Sequence, residues 1–450
     1  MKPVISAISI KNFKSLRDTG PLNLKPITLL VGPNSSGKSA LLQALLLLKQ
    51  TLESRNILTP LVIRGKYVNL GSYKDIIFQH DINRSIEISL MLNFFRRASI
   101  YEDIPQEALM KFKIGYKEGQ LTIEAIEFSV PERHSSINIL KEEKVRIKYN
   151  NLIKEMSFRD FKRLTWGFRR NFLYIPSPVL SGLSDLLSEL SEEERRNIRE
   201  LLRTFRRFSI AFEELLVGRT YYIGPLREYP QRYYIASGEY PRDVGLRGEH
   251  TVEVIYFDFK RQREKFEKLK HWLRKMDIAA DIRLKSIAEG IYALTVFDPN
   301  LGIEVNLADI GFGASQLLPI LVEGIYAKKN SIFLIEQPEI HLHPRLQAAL
   351  ADFFIEMANE GKQLIIETHS EHIVLRLQRR IAEGKISNDK VAIYAFEPSK
   401  DGTKIIPVKI DEYGRIKSWP KGFFEDDLEE AYSILEAIGS RIRGENVSGN

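Results

Sequence analysis

The stretch Gly32-Pro33-Asn34-Ser35-Ser36-Gly37-Lys38-Ser39 sets two glycines, a lysine and a hydroxyl at the spacing GxxxxGK[ST]. Glycines at these positions let the backbone curl until successive N–H groups face one anion. A helix starting just beyond aims its positive end at the same point. Lys38 is placed to neutralise the β- and γ-phosphates of a nucleotide and the Ser39 hydroxyl to ligate Mg²⁺. Asn34, Ser35, Ser36, Gly37 and Ala40 supply the remaining loop contacts. The expected ligand is therefore ATP with Mg²⁺. A glycine-rich turn matching by chance would lack the apolar strand that precedes this loop and the leucine-rich helix that follows it.

Three further groups have the right chemistry to serve the same phosphates. Phe333-Leu334-Ile335-Glu336-Gln337-Pro338-Glu339 is an apolar strand ending in acid. Such a strand end holds Mg²⁺ beside the P-loop hydroxyl, so Ser39 and Glu336 are the predicted metal-side residues. Glu367-Thr368-His369-Ser370 ends another apolar run, and His369 there is placed to reach a γ-phosphate or an attacking water. Gly311-Phe312-Gly313-Ala314-Ser315-Gln316 precedes a helix predicted over Leu317 to Ala327, with Pro319 in its first turn. Glycines, a hydroxyl and a helix start make a second anion site from Gly313 and Ser315, with an ordinary helix cap as the plain alternative. His341 and His343 are two residues apart, but zinc wants four ligands and the chain has no thiolate. They read as a turn between the acidic strand and the next helix.

The elements that must position these residues are legible as α/β texture at both ends of the chain. Strands are predicted at 4–10, Ile27–Val31, Ser331–Glu336, Gln363–Glu367 and Val391–Phe396, and helices at Ser39–Leu52, Pro344–Met357 and Glu371–Ile381. The texture between them is different. Ile86–Leu92, Lys111–Tyr116, Lys144–Tyr149 and Ile291–Phe297 read as strands, and 183–217 and 259–275 as helices. Within 189–207 an acidic start and a basic end suit the helix macrodipole. The reading is a P-loop head assembled from 1–84 and 291–400, an α+β insertion or arm at 85–290 and a small C-terminal element at 401–450. The acidic run Glu425, Asp426, Asp427, Glu429 and Glu430 reads as a solvated helix start rather than a nuclease site, and 444–450 as a frayed end.

The 450 residues are 44% hydrophobic, enough for more than one packed core, and the formal net charge of +7 is a mild basic bias. Such a bias permits nucleic-acid binding without demanding it. No apolar run reaches the 18 or so residues of a membrane helix, there is no secretory pattern, and no cysteine is present. A cytoplasmic protein with no membrane partner is expected. Arg227, Arg232, Arg242 and Arg247 interleave with Tyr229, Tyr233, Tyr234 and Tyr240. Arginines among aromatics suit phosphates and unstacked bases, and a solvated face with internal ion pairs accounts for the same pattern.

Taken in order, ISIKNFKSL, GPNSSGKS, GFGASQLLPI, IEQPEIHLHP and ETHSEH resemble the ABC-type AAA ATPases grouped with the RecF, SMC and OLD families. Gly414 to Phe424 and Tyr222 to Glu228 resemble the branch that carries a small C-terminal domain of unknown function, and no Toprim nuclease follows. The resemblance covers both chain ends and is thin over 85–215. It implies that Lys38 and Ser39 take phosphate and Mg²⁺, and that Glu336 is the Mg²⁺-side acid and His369 the switch histidine. Gly313 and Ser315 would cap the γ-phosphate held by a partner subunit. It also implies a homodimer or larger homo-oligomer with ATP at the interface. A further γ-phosphate contact has only Gln79 and Asp75 as candidates. One departure matters: where the family often has a second acid after the first, this chain has Gln337. A glutamine cannot accept a proton, so general-base work is weakened and slow hydrolysis is expected, with Glu336 or Glu339 as substitutes. Two outputs follow from the resemblance: ATP-driven dimers acting on DNA in repair or genome defence, or a regulatory scaffold controlling an effector protein.

Overall fold

The computed structural model describes residues 4–54, 59–93, 107–140, 144–150, 152–157, 191–236, 238–259, 263–298, 302–417 and 438. The predicted acidic run at 425–430, the frayed end at 444–450 and the start of the 183–217 helix lie outside the described residues. Eight helices and three sheets are described.

The central sheet has six strands in the order β11-β16-β17-β4-β18-β19. They are β4 (Ile27–Val31), β11 (Thr220–Ile223), β16 (Ile332–Glu336), β17 (Gln363–Glu367), β18 (Val391–Glu397) and β19 (Lys404–Val408). All pairs are parallel except β18 with β19. Parallel sheets are covered on both faces, which is why β4, β16 and β17 read as unbroken apolar runs rather than alternating ones. Along β4, Ile27, Leu29 and Val31 point into one core and Leu30 into the other. The first core is filled by helices α4 (Thr251–Phe259), α5 (Arg263–Lys275), α6 (Phe312–Tyr326), α7 (Pro344–Asn359) and α8 (Glu371–Ala382). The second is filled by helix α1 (Lys38–Glu53) and by a nine-stranded sheet.

That larger sheet is antiparallel throughout. Strand β1 (Ile5–Phe13) pairs with β2 (Leu16–Asp18), β3 (Leu22–Asn23) and β5 (Ile86–Asn93). It continues through β6 (Glu107–Lys117), β7 (Gln120–Val130), β8 (Ser135–Leu140), β9 (Lys144–Tyr149) and β10 (Leu152–Ser157). The strands beyond residue 85 thus extend a sheet begun at the N-terminus, and β11 joins the central sheet. A short helix α2 (Tyr73–Ile76) and the long α3 (Glu192–Gly218) complete this side, with Phe205, Phe208 and Phe212 of α3 packed around Phe112 and Phe128. A four-stranded sheet of β12 (Tyr234–Ile235), β13 (Asp281–Ala288), β14 (Ile291–Asp298) and β15 (Ile303–Asn306) lies beside α5.

One predicted helix boundary moves clearly, the start of α6. Of the predicted 259–275 helix, α4 ends at Phe259 and α5 starts at Arg263, and 260–262 lie outside the described residues. Helix α3 ends at Gly218, one residue past the predicted 217, with Arg203, Arg206 and Arg207 in its interior. Its C-terminal carbonyls are met instead by Lys49 of α1, whose Nζ donates to Leu216 O (3.2 Å) and Val217 O (3.1 Å). Helix α6 begins at Phe312, so Gly313 and Ser315 sit in its first turns and Pro319 is interior. Without an N–H, Pro319 cannot donate to the Ser315 carbonyl four residues back. Among the described residues no helix is long and apolar enough to cross a membrane.

Candidate nucleotide site

β4 runs straight into the loop at 32–37 and α1 begins at Lys38, with Gly37 in the left-handed region at φ 98°. Two glycines are needed here for different reasons. A Cβ on Gly32 would lie 2.4 Å from the Phe396 carbonyl oxygen of β18, a backbone atom that cannot move aside. A Cβ on Gly37 would lie 2.4 Å from Ser15 Oγ and 2.6 Å from Thr403 Oγ1. Thr403 also donates to Ser36 O at 2.7 Å, so the β18–β19 turn braces the loop from outside. Asn34 and Ser35 are exposed, and Ser36, Lys38 and Ala40 are buried.

The Lys38 ammonium donates to the carbonyls of Gly32 (2.9 Å) and Pro33 (2.8 Å), bent back over its own loop. Burial lowers its pKa, against the pull of Glu367 and Glu339. The Ser39 hydroxyl donates to the Glu367 carboxylate. Parallel pairing puts Glu336 of β16 directly beside Glu367 of β17, and Glu367 beside Leu30 of β4, so both acids emerge at the strand ends nearest the loop. Burial first and the neighbouring Glu367 second push the Glu336 carboxyl up to about 7. Burial likewise raises Glu367 and Glu339.

Past β16 the chain turns sharply. Gln337 has φ 43° and donates its N–H to Glu367 O at 2.8 Å, tying the two acidic strand ends together. The turn carries Glu339 back over the site, where its oxygens accept from His369 N (2.6 Å) and Thr368 Oγ1 (2.7 Å). His369 has its pKa lowered by burial and by Lys38, which places the ring by the P-loop lysine in the neutral form. Ser370 caps α8 through Ile373 N (3.1 Å) and donates to Gln347 (2.6 Å), which fixes the direction of the strand end.

Lys38, Ser39, Glu336, Gln337 and His369 are therefore brought into one crevice. Gly313 and Ser315 are not brought to it. Gly313 packs on the His341 carbonyl, and Ser315 lines a separate depression with Tyr229, Pro230, Gly248, Leu318 and Pro319. His343 accepts from Arg345 N at 3.2 Å as the cap of α7, and His341 occupies the turn before it with φ 62°, in keeping with a turn rather than a metal site. Asp75 accepts from both Ser72 N and Ser72 Oγ in a capping box, and Gln79 is exposed with φ 54°.

Several residues at the site were not singled out from the sequence for it. Glu367 was read only as the residue before Thr368-His369, and the interstrand register that sets it beside Ser39 is not written in local pattern. Tyr222 of β11 donates to Glu336 Oε1 at 3.1 Å, and Arg227 Nη2 donates to Glu336 O at 3.2 Å. Arg227 is 4% exposed, which removes it from any nucleic-acid face. Lys14, between β1 and β2, feels Glu336 and donates to Gln43 Oε1 at 2.6 Å.

The crevice fits a triphosphate with Mg²⁺. Glu367 Oε2, His369 Nε2, Ser36 Oγ and Arg227 Nε and Nη1 are buried with no hydrogen-bond partner among the described residues. Mg²⁺ is commonly held by one or two carboxylates together with phosphate oxygens rather than by an all-protein cage. Among the described residues no group of three or more His, Cys, Asp or Glu is clustered so as to hold a metal ion by itself.

A P-loop between a parallel strand and a helix, with acids on neighbouring strand ends, defines an α/β nucleotide-binding head. Residues 27–375 match the family model described as "AAA domain, putative AbiEii toxin, Type IV TA system", and the chain belongs to that AAA-domain ATPase family. Residues 386–431 match a second family, described as a protein of unknown function (DUF3696). No curated protein matches. Among solved structures the chain is similar to an Smc head bound to the C-terminal winged-helix domain of ScpA, at 14% identity over 91% of this chain and 99% of that one, TM-score 0.47. It is also similar to an Smc head with an extended coiled coil bound to the C-terminal domain of ScpA derived from Pyrococcus furiosus, at 14% identity over 97% of this chain and 99% of that one, TM-score 0.46. A third is the SMC head domain from Thermotoga maritima, at 10% identity over 91% of this chain and 100% of that one, TM-score 0.40.

Proposed function

We propose that the chain is an Mg²⁺-dependent ATP-binding switch that hydrolyses ATP slowly and changes its association state with the nucleotide. The observation that carries this reading is the convergence of Lys38 and Ser39 with Glu336, Glu339, Glu367 and His369, which are separated by some three hundred residues of chain. Lys38 leaves the Gly32 and Pro33 carbonyls for the β- and γ-phosphates. Ser39, Glu336 and Glu367 would hold Mg²⁺, which would neutralise charge on the phosphate oxygens. Glu339 orients His369 through its backbone N–H and keeps the ring facing Lys38. With Gln337 at the position of a general base, positioning and charge are retained and proton acceptance is weak, so turnover is slow.

The output reading is DNA action in repair or genome defence, with control of an effector protein as the second. One observation favours the second. Arg232 donates twice to Asp309 (3.1 and 2.7 Å) and Arg242 meets the Val217 carbonyl and Glu53, so these arginines are tied internally. Tyr229 and Tyr233 remain 76% and 58% exposed beside Leu226 at 66%, an apolar face suited to protein.

The test is ATP hydrolysis with and without duplex and single-stranded DNA, with Lys38→Ala as the blank. Stimulation by DNA that the blank loses supports action on DNA. Turnover indifferent to DNA supports the effector reading. No binding of ATP at all sinks both.

A further inference from the structure

The guanidinium of Arg227 is a buried cation with no ion pair within 4.0 Å among the described residues. It follows β11 in the segment Gly224-Pro225-Leu226-Arg227. Its Nη2 bonds to a carbonyl, that of Glu336, while Nε and Nη1 have no acceptor among the described residues. No carboxylate forms an ion pair with it among the described residues. The nearest acids are already engaged: Glu339 by His369 N and Thr368 Oγ1, and Glu336 Oε1 by Tyr222. A charge held this deep costs several kcal/mol unless it is paired, and even its guanidinium pKa is drawn down to about 10, chiefly by burial.

Its location says what the missing anion is. β11 is paired in parallel with β16, so Arg227 emerges at the same strand ends as Glu336, Glu367 and the P-loop, the crevice where open α/β sheets take their ligands. Glu339 lies within electrostatic reach of both Lys38 and Arg227. Leu226 next to it is 66% exposed, so the segment forms the rim of the crevice and not its floor.

We infer that Arg227 binds the terminal phosphate of the triphosphate, a contact ADP cannot make. The inference rests on the nucleotide reading above and adds to it a residue that distinguishes ATP from ADP. A tetrahedral phosphate offers several acceptor oxygens to divergent N–H donors, which an arginine supplies from a fixed plane. The occupant weighed against it is a carboxylate from another chain.

Calorimetric titration of the full chain in Mg²⁺ with ADP and with the β,γ-imido analogue of ATP separates these. Arg227→Met keeps the aliphatic stem. It is expected to weaken the analogue about tenfold or more while ADP affinity stays within about twofold, as loss of a charged hydrogen bond implies. Analogue affinity unchanged, or both ligands weakened alike, overturns the inference. Lys38→Ala is the comparator that loses both ligands. If the unaltered chain binds neither nucleotide, the nucleotide reading itself fails. Should Arg227→Met not fold well enough to bind ADP, a structure of the unaltered chain with Mg²⁺ and the analogue decides. Nε or Nη1 within about 3.2 Å of a terminal phosphate oxygen upholds the contact, and a greater separation overturns it.

Discussion

On the proposed function, two side chains at the strand ends bear on turnover and on metal-dependent nucleotide binding. Gln337 stands where a second acid would accept the proton of attacking water, and its backbone N–H is already used to hold Glu367 O. The side chain can therefore be changed without removing that tie. Gln337→Glu is expected to raise kcat by about tenfold or more, since a positioned base is worth about 10²–10⁴ in rate. A steady-state rate equal to that of the unaltered chain sinks this account of slow turnover. Glu367 is the acid that touches Ser39, and one of its oxygens has no partner among the described residues. Glu367→Ala should weaken nucleotide binding in Mg²⁺ and leave binding in excess chelator little changed. Equal weakening in both conditions would make Glu367 a structural partner of Ser39 alone. The P-loop, Glu336 and His369 were legible as motifs, because each is a local string with a fixed chemical purpose. Glu367, Tyr222 and Arg227 were not, because what places them is pairing between β11, β16 and β17, segments up to about 140 residues apart whose apolar runs carry no register information.

At the scale of elements, the site depends on how α1 and α6 are anchored. The far end of α1 is held by Lys49, which is buried, ion-paired with Glu53 at 2.8 Å and donating to the end of α3. Nearby in α6, Glu323 is buried at 4% exposure and accepts the Val244 N–H at 2.7 Å. Burial, with Asp243 adding to it against Lys49 and Lys362, pushes this carboxyl up to about 8. The folded chain thus holds the proton more tightly than the unfolded chain does. Its contribution to stability is complete below the ordinary carboxylate range and is lost as pH rises through about 8. Melting curves across about pH 5 to 9 should show Tm falling with pH, and Glu323→Gln, which keeps an acceptor for Val244, should flatten the fall. An unaltered slope in the variant would assign the pH dependence to other groups. The strands and helices of the head were readable from apolar runs and breakers. The start of α6 was not. α6 starts at Phe312 despite the glycine at 313, since its buried face packs on α4, α5 and α7.

At the scale of the whole molecule, the anion site expected at the start of α6 lies away from its own chain's P-loop. Ser315 faces a depression lined by Tyr229, Pro230 and Gly248, none of them P-loop residues. The P-loop crevice in turn holds donors with no partner among the described residues. A twofold pair resolves both if the start of α6 in each copy meets the nucleotide on the other, because an isologous interface uses any such contact twice. The expected outcome is a doubling of molar mass by light scattering in Mg²⁺ with the non-hydrolysable ATP analogue, relative to ADP. Lys38→Ala, which cannot hold the phosphates, should stay at the ADP mass. Ser315→Arg should bind the analogue with nearly unchanged affinity, since the side chain lies outside its own crevice, yet fail to associate. Association of Ser315→Arg equal to that of the unaltered chain would place the interface elsewhere, and the exposed face at Leu226, Tyr229 and Tyr233 becomes the next surface to alter. A mass that is the same in ADP and the analogue would separate nucleotide binding from assembly altogether. The loop at Gly313 and Ser315 would then be no more than the first turn of a core helix.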